Sequence, residues 1–237
     1  MAMTPQEMID FFGGQASLWS NGLRLAVDRA NYHHAAECVR QVFKAFVMQG
    51  LIAWRIGSGS PVEPFKSAVQ AVQDGVETLK TMKDANPRRD LALPSASIIA
   101  YLVDVAMPNV ELSELTSDCL LDGVLGNGLR DEWDDSAWKI GMEQLRKNKR
   151  AALAVETYAA YEKLLHGDSA GAADPANLAA KLFEKRARND FYSGGDQTAG
   201  GGPDNPITVD FRLAAVMKRV RYTGENLHQW RWGGLPG

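Results

Sequence analysis

The feature that most constrains this chain is a long run of apolar residues at helical spacing. Between Tyr32 and Ile56, apolar side chains recur three or four positions apart, at Val39, Val42, Phe43, Phe46, Val47, Leu51 and Trp54. At 3.6 residues per turn, these positions share one face of about seven turns of α-helix. The run stops at Gly57 to Pro61, because glycine permits left-handed backbone and proline cannot continue a helix.

A second amphipathic helix follows this turn almost at once. We expect it to open around Val62 to Pro64 and to end near Asn86 and Pro87, with apolar positions at Phe65, Val69, Val72, Val76, Leu79 and Met82. Because so short a connection joins two long helices, they are predicted to pack antiparallel as an αα-hairpin over 32–82.

The rest of the sequence repeats the helical pattern, and no segment alternates apolar and polar residues as a half-buried strand would. Residues 95–106 are apolar nearly all round, which predicts a helix buried on several sides. Further helices are predicted over 111–125, 137–148, 151–166, 176–189 and 209–220. The prediction is an all-α fold, a multi-helix bundle of antiparallel helical hairpins with about seven to nine helices.

The length of 237 residues is enough for one sizeable core, so 1–237 is predicted to form a single helical domain. A small-residue linker at 167–173 allows a subdivision into core helices over 1–166 and C-terminal helices over 174–237. The second part contains a glycine-rich loop, 193–206. This loop lacks the lysine and the preceding strand of a phosphate-binding loop, so no nucleotide or other cofactor is expected.

Charge and hydropathy narrow the expected partners. A net charge of -3 offers no basic face, so nucleic acid is not an expected partner, and the aromatic-basic tail 218–232 is interpreted as packing onto the body. No apolar stretch is long enough to cross a bilayer, and the N-terminus lacks a signal-peptide pattern. The expectation is a cytoplasmic protein in which Cys38 and Cys119 are buried free thiols.

The densest like-charge region runs from Glu111 to Asp135. Four of its carboxylates fall three and four positions apart and share one helix face: Glu111, Glu114, Asp118 and Asp122. Such a face could hold Mg²⁺ or Mn²⁺, as in helical nucleotide pyrophosphohydrolases, whose ExxE motif matches Glu111 and Glu114. That metal site needs a second carboxylate pair, which the sequence does not nominate. A solvated acidic face and a protein-docking surface are the other two interpretations.

As a docking surface, this region would bind another protein with an aromatic anchor surrounded by carboxylates. The residues predicted to do so are Asp118, Asp122, Asp131, Glu132, Trp133, Asp134 and Asp135. No catalytic residue is nominated, because no histidine lies in a metal-binding motif and neither cysteine has a histidine partner that the sequence identifies. We therefore expect a non-enzymatic protein.

In segment 46–79, a long helix is followed by a small-residue turn and by a helix start with acidic and aromatic residues. This segment resembles the helical hairpins of all-α bacterial immunity proteins. The resemblance covers about a seventh of the chain and carries over no site residue. It implies an inhibitor that neutralises a bacterial toxin. A metal-dependent helical hydrolase and a structural protein are the alternatives, and a homo-oligomer is compatible with the sequence.

Overall fold

The computed structural model describes residues 3–56, 59–83, 85–92, 98–103 and 106–117, together with the single positions 143, 147, 156, 159, 160, 163, 211 and 215. These residues are 84% helical and include no strand, which confirms the all-α class. Within them, no helix combines the length and the apolarity needed to span a bilayer.

The described elements are helices α1 (Pro5–Asp28), α2 (Tyr32–Arg55) and α3 (Val62–Lys80), a π-helical turn (Arg88–Ala92), α4 (98–103) and α5 (Val110–Ser117). The eight single positions are also helical and fall inside the helices predicted at 137–148, 151–166 and 209–220. The predicted helix at 176–189, the linker and the glycine-rich loop lie outside the described residues. That 1–237 forms a single domain stays a prediction.

Helix α1 is an addition to the predicted helices. It begins with a capping box, in which the Thr4 hydroxyl accepts a hydrogen bond from the Glu7 backbone N–H (3.2 Å) and the Glu7 carboxylate accepts one from the Thr4 N–H (2.7 Å). Pro5 supplies the fixed φ that suits the first helical position. At its end, Ala30 adopts a left-handed φ of 51°, which lets the Asn31 N–H reach back to the Ala26 carbonyl (2.9 Å).

Helix α2 lies between α1 and α3 and contacts both. Its partner α1 runs antiparallel to it, since the Gln49 Nε2 atom donates to the Ile9 carbonyl (2.8 Å) near one end and Cys38 packs against Gly22 near the other. Contact on two sides explains why α2 contributes the largest share of the buried side chains in the described core.

The antiparallel hairpin of α2 and α3 is confirmed, and two glycines allow its helices to approach closely. A methyl group on Gly50 would lie 2.3 Å from the Phe65 ring, and one on Gly75 would lie 2.3 Å from Cγ1 of Val39. A glycine on one helix thus receives a large side chain from the other at each end of the hairpin. This fit joins the two helices along most of their length.

The predicted end of the second helix, near Asn86 and Pro87, is wrong. Helix α3 ends at Lys80, where the Thr81 hydroxyl turns back to donate to the Thr78 carbonyl (2.7 Å). The Asn86 N–H donates instead to the Tyr32 hydroxyl (2.9 Å), so a tertiary contact takes the place of another helical turn.

The burial predicted for 95–106 is confirmed in its described part, where Ile98, Ile99, Leu102 and Val103 are all buried. The last predicted helix contributes Phe211 and Ala215 to the same core, and the Phe211 ring meets Tyr101 edge-on at 5.9 Å. The other positions of the helix predicted at 209–220 lie outside the described residues.

Candidate functional site

The predicted acidic docking surface cannot be placed, because Asp118, Asp122 and residues 131–135 lie outside the described residues. Of the acidic region, the structure describes Glu111 and Glu114 in α5, both exposed. The docking role of this region therefore stays a prediction.

Glu111 has a cationic partner on another helix. The Lys80 ammonium at the end of α3 donates to the Glu111 carboxylate and also to Glu77 (3.0 Å), and these hydrogen bonds raise the pKa of Lys80. In the described part of the chain, no three His, Cys, Asp or Glu side chains group together as metal ligands would. Glu111 thus forms a salt bridge between α3 and α5. The metal site stays a prediction, with the proposed ligands Glu111, Glu114, Asp118 and Asp122.

Cys38 has a histidine neighbour that the sequence did not identify. The His34 Nε2 atom lies 3.8 Å from the Cys38 sulfur, one turn away on α2. Burial, with a smaller contribution from Glu37, raises the pKa of the Cys38 thiol. The thiol is fully buried where α1 crosses α2 at Gly22, and its raised pKa keeps it protonated, so this thiol is not an accessible nucleophile.

A polar cluster fastens the π-helical turn to the start of α2. The Tyr32 hydroxyl donates to Oδ2 of Asp90 (2.6 Å) and accepts from the Asn86 N–H (2.9 Å), while Arg40 donates to the Asp90 carbonyl (3.2 Å). Arg89 donates to the other Asp90 oxygen (3.0 Å). Burial alone would raise the pKa of Asp90, but the hydrogen bonds from Arg89 and Tyr32 outweigh it, so this pKa is lowered.

We expect Tyr32→Phe to lower the free energy of unfolding by about 1–3 kcal/mol, because it leaves a partly buried N–H and a carboxylate without one hydrogen bond each. Urea unfolding at neutral pH, followed by circular dichroism, measures the loss. An unchanged midpoint and slope would show that the cluster does not stabilise the fold.

The same tyrosine predicts an alkaline response. Burial, followed by the bond to Asp90, raises the pKa of Tyr32, so its contribution to stability is complete below the unfolded pKa of about 10 and is lost as the pH rises through the folded pKa. The stability difference between the parent and Tyr32→Phe should therefore stay constant up to about pH 10 and narrow between about pH 10 and about pH 12. A difference that stays constant above about pH 10 contradicts the raised pKa.

Helix α1 carries a second apolar face, which we call the outer face and define by Phe11, Leu18 and Leu25. These side chains lie seven positions apart and are 50%, 60% and 47% exposed, respectively. Seven residues are close to two turns, so the three form one stripe along the helix. Three large apolar side chains that stay half exposed along one stripe are typical of an interaction surface.

The outer face is distinct from the side of α1 that packs on the core. Ala16 is buried and Phe12 and Leu23 pack against the core, on a stripe that lies roughly 140° around the axis from Leu18. Phe11 joins the two sides, since its ring meets the Phe12 ring edge-on at 5.3 Å. This contact holds one outer-face residue in place before anything binds.

Gly14 opens the outer face to close approach. It lies between Phe11 and Leu18, and a methyl group added there would have nothing within 4 Å. A partner's backbone or side chain could approach closely at this position.

The sequence before residue 32 also contains a signal for the outer face, separate from the apolar spacing in 32–82 that predicted the hairpin. The residues Thr4, Pro5 and Glu7 form a helix-start pattern, and phenylalanine or leucine then recurs every seventh position from Phe11. These two patterns together would have predicted α1 and the spacing of these residues along it, but not that this side of the helix stays exposed.

Comparison with known proteins adds no further assignment. No protein-family model matches the chain, and no curated protein or solved structure is significantly similar to it. The functional proposal below therefore depends on this chain's own residues.

Proposed function

We propose that this chain is a non-enzymatic protein that binds another protein through the outer face of α1. The observation that carries the proposal is the half-exposed stripe of Phe11, Leu18 and Leu25. A helix that already packs one side on its own core can place a second apolar side against a partner without unfolding.

The size of the stripe indicates the strength of the binding. Completing the burial of three half-exposed large apolar side chains gains roughly 1 kcal/mol each. Association costs several kilocalories per mole in lost translational and rotational freedom. The outer face would therefore be the centre of the contact, and polar residues around it would contribute the rest.

A photo-crosslinking amino acid at position 18 of the full chain, introduced in its native cell, tests this function. We expect a covalent adduct of discrete mass that disappears when Phe11 and Leu25 are both changed to serine. The control is the same probe at Ser17, which is exposed but points about 100° away around the helix. Absence of a discrete adduct at position 18, or an equal adduct at position 17, contradicts the proposal.

Neutralisation of a toxin is a second proposal that uses a different surface, the acidic region 111–135, and it is supported by the charge of that region and by the resemblance of 46–79 to immunity-protein hairpins. It predicts that reversing Asp131, Asp134 and Asp135 to lysine abolishes recovery of a stable partner with the purified chain. The matched control reverses three exposed acids of α3, Glu63, Asp74 and Glu77. If the partner is recovered equally with both variants, the acidic region does not bind it.

A further inference from the structure

We propose that the outer face of α1 binds the outer face of a second copy of this chain, with the two α1 helices antiparallel and a two-fold axis beside Leu18. This inference rests on the proposed function, because it names the partner of the same face. It is carried by the symmetry of the stripe and of the charges at its ends.

The apolar residues are arranged symmetrically about Leu18. Phe11 precedes Leu18 by seven positions and Leu25 follows it by seven. A two-fold axis beside Leu18 places Phe11 of one copy opposite Leu25 of the other, at both ends, and brings the two Leu18 side chains together. A C2 contact requires a patch that complements itself in this way.

The charges at the ends of the stripe favour the antiparallel direction. Glu7 and Arg29 lie eleven positions before and after Leu18, which is roughly 16 Å along the helix on either side. Antiparallel pairing therefore places Glu7 of each copy beside Arg29 of the other. A parallel pair would bring like charges together at both ends, which opposes that arrangement.

Gly14 leaves space beside the centre of the stripe. It precedes Leu18 by four positions, and a methyl group added there would have nothing within 4 Å. Gly22, four positions after Leu18, instead faces α2, since a methyl group there would lie 3.2 Å from the Cys38 sulfur. In the antiparallel pair, the space at Gly14 of each copy allows a close approach next to the central Leu18 contact.

The contact is small. Helix α1 has 24 residues and a length of about 36 Å, so a contact confined to it buries less surface than a standard stable interface. We therefore expect a reversible dimer whose population depends on the protein concentration.

Sedimentation velocity of the purified full chain tests the dimer. We expect the mean mass to rise with concentration from the 25.9 kDa of one chain towards twice that value. Leu18→Glu should raise the dissociation constant by at least roughly tenfold, because it places two carboxylates together at the two-fold axis. Ser17→Glu, which adds the same charge on an adjacent side of the helix, should leave the dissociation constant unchanged.

Disulfide cross-linking tests the direction of the helices. Leu18→Cys should cross-link to itself, and a mixture of Phe11→Cys with Leu25→Cys should form the mixed dimer. Phe11→Cys alone should not cross-link, since its two copies would lie roughly 21 Å apart along the axis, far beyond the reach of a disulfide. The parent chain gives the background from the native cysteines.

A charge exchange tests the ends of the contact. Arg29→Glu should weaken the dimer, and the double variant Arg29→Glu with Glu7→Lys should restore it. Far-ultraviolet circular dichroism of each variant confirms that α1 is still folded, which matters because Glu7 takes part in the capping box.

The outcomes separate this inference from the proposed function. A mass of one chain at every concentration, together with a photo-adduct to a different protein at position 18, overturns the dimer and leaves the proposed function standing. Self-cross-linking of Phe11→Cys overturns the antiparallel direction. If neither a dimer nor any adduct is found, both proposals are overturned.

Discussion

Leu51→Ala is expected to lower the free energy of unfolding by about 2–5 kcal/mol, the largest single loss predicted here. Leu51 lies in the second half of α2 and has no solvent exposure. Its own helix is held on both sides by α1 and α3, so the surrounding structure closes only part of the cavity that the substitution leaves. Urea unfolding followed by circular dichroism measures the loss.

The chain contains a matched control for this substitution. Leu18→Ala removes the same atoms from a side chain that is 60% exposed, so we expect a change within about 0.5 kcal/mol. Both variants are compared with the parent at a concentration at which all three are monomeric. Equal losses for the two leucines would show that Leu18 is not exposed or that Leu51 is not in the core.

Gly75→Ala is expected to destabilise the fold even though alanine is the better helix former. The new methyl group would lie 2.3 Å from Cγ1 of Val39, and a buried β-branched side chain on a helix has almost no alternative rotamer. The helices must separate, at a cost of about 1–3 kcal/mol. The gain in helix propensity offsets roughly 1 kcal/mol of that cost.

Two further variants test this mechanism. Gly14→Ala makes the same change where nothing lies within 4 Å, so it should stabilise the monomer by roughly 1 kcal/mol at most. Val39→Ala removes the two methyl groups that the added methyl group of Gly75→Ala would meet, so the double variant should lose less stability than the sum of its single variants. Simple additivity, or a loss at Gly14 as large as that at Gly75, contradicts the close contact.

The hairpin could be predicted because its determinants are local. The spacing of apolar residues places one face on each helix, and the residues between Gly57 and Pro61 stop the first helix whatever surrounds them. The end of the second helix could not be predicted in this way. The predicted helix would have continued to Asn86, whose N–H is instead bound by Tyr32, more than fifty residues earlier in the chain, and the local pattern does not show such a contact.

The close contacts of α2 with its neighbours also depend on pairs that are distant in sequence. The periodic pattern places Val39 and Phe65 on buried faces, and the structure pairs them with Gly75 and Gly50. The pattern does not reveal which glycine will receive which side chain, because that depends on the register of the two helices.

By itself, the sequence determined that this chain is helical, where the hairpin turns and that residues 98–103 are buried, because backbone preference and apolar spacing act over a few neighbouring residues. Only the tertiary structure decided which apolar side chains α1 leaves in contact with water. Phe11 and Phe12 are identical and adjacent, yet Phe12 packs against the core and Phe11 stays half exposed. The exposure of a side chain depends on what packs against it, and those neighbours come from other parts of the chain.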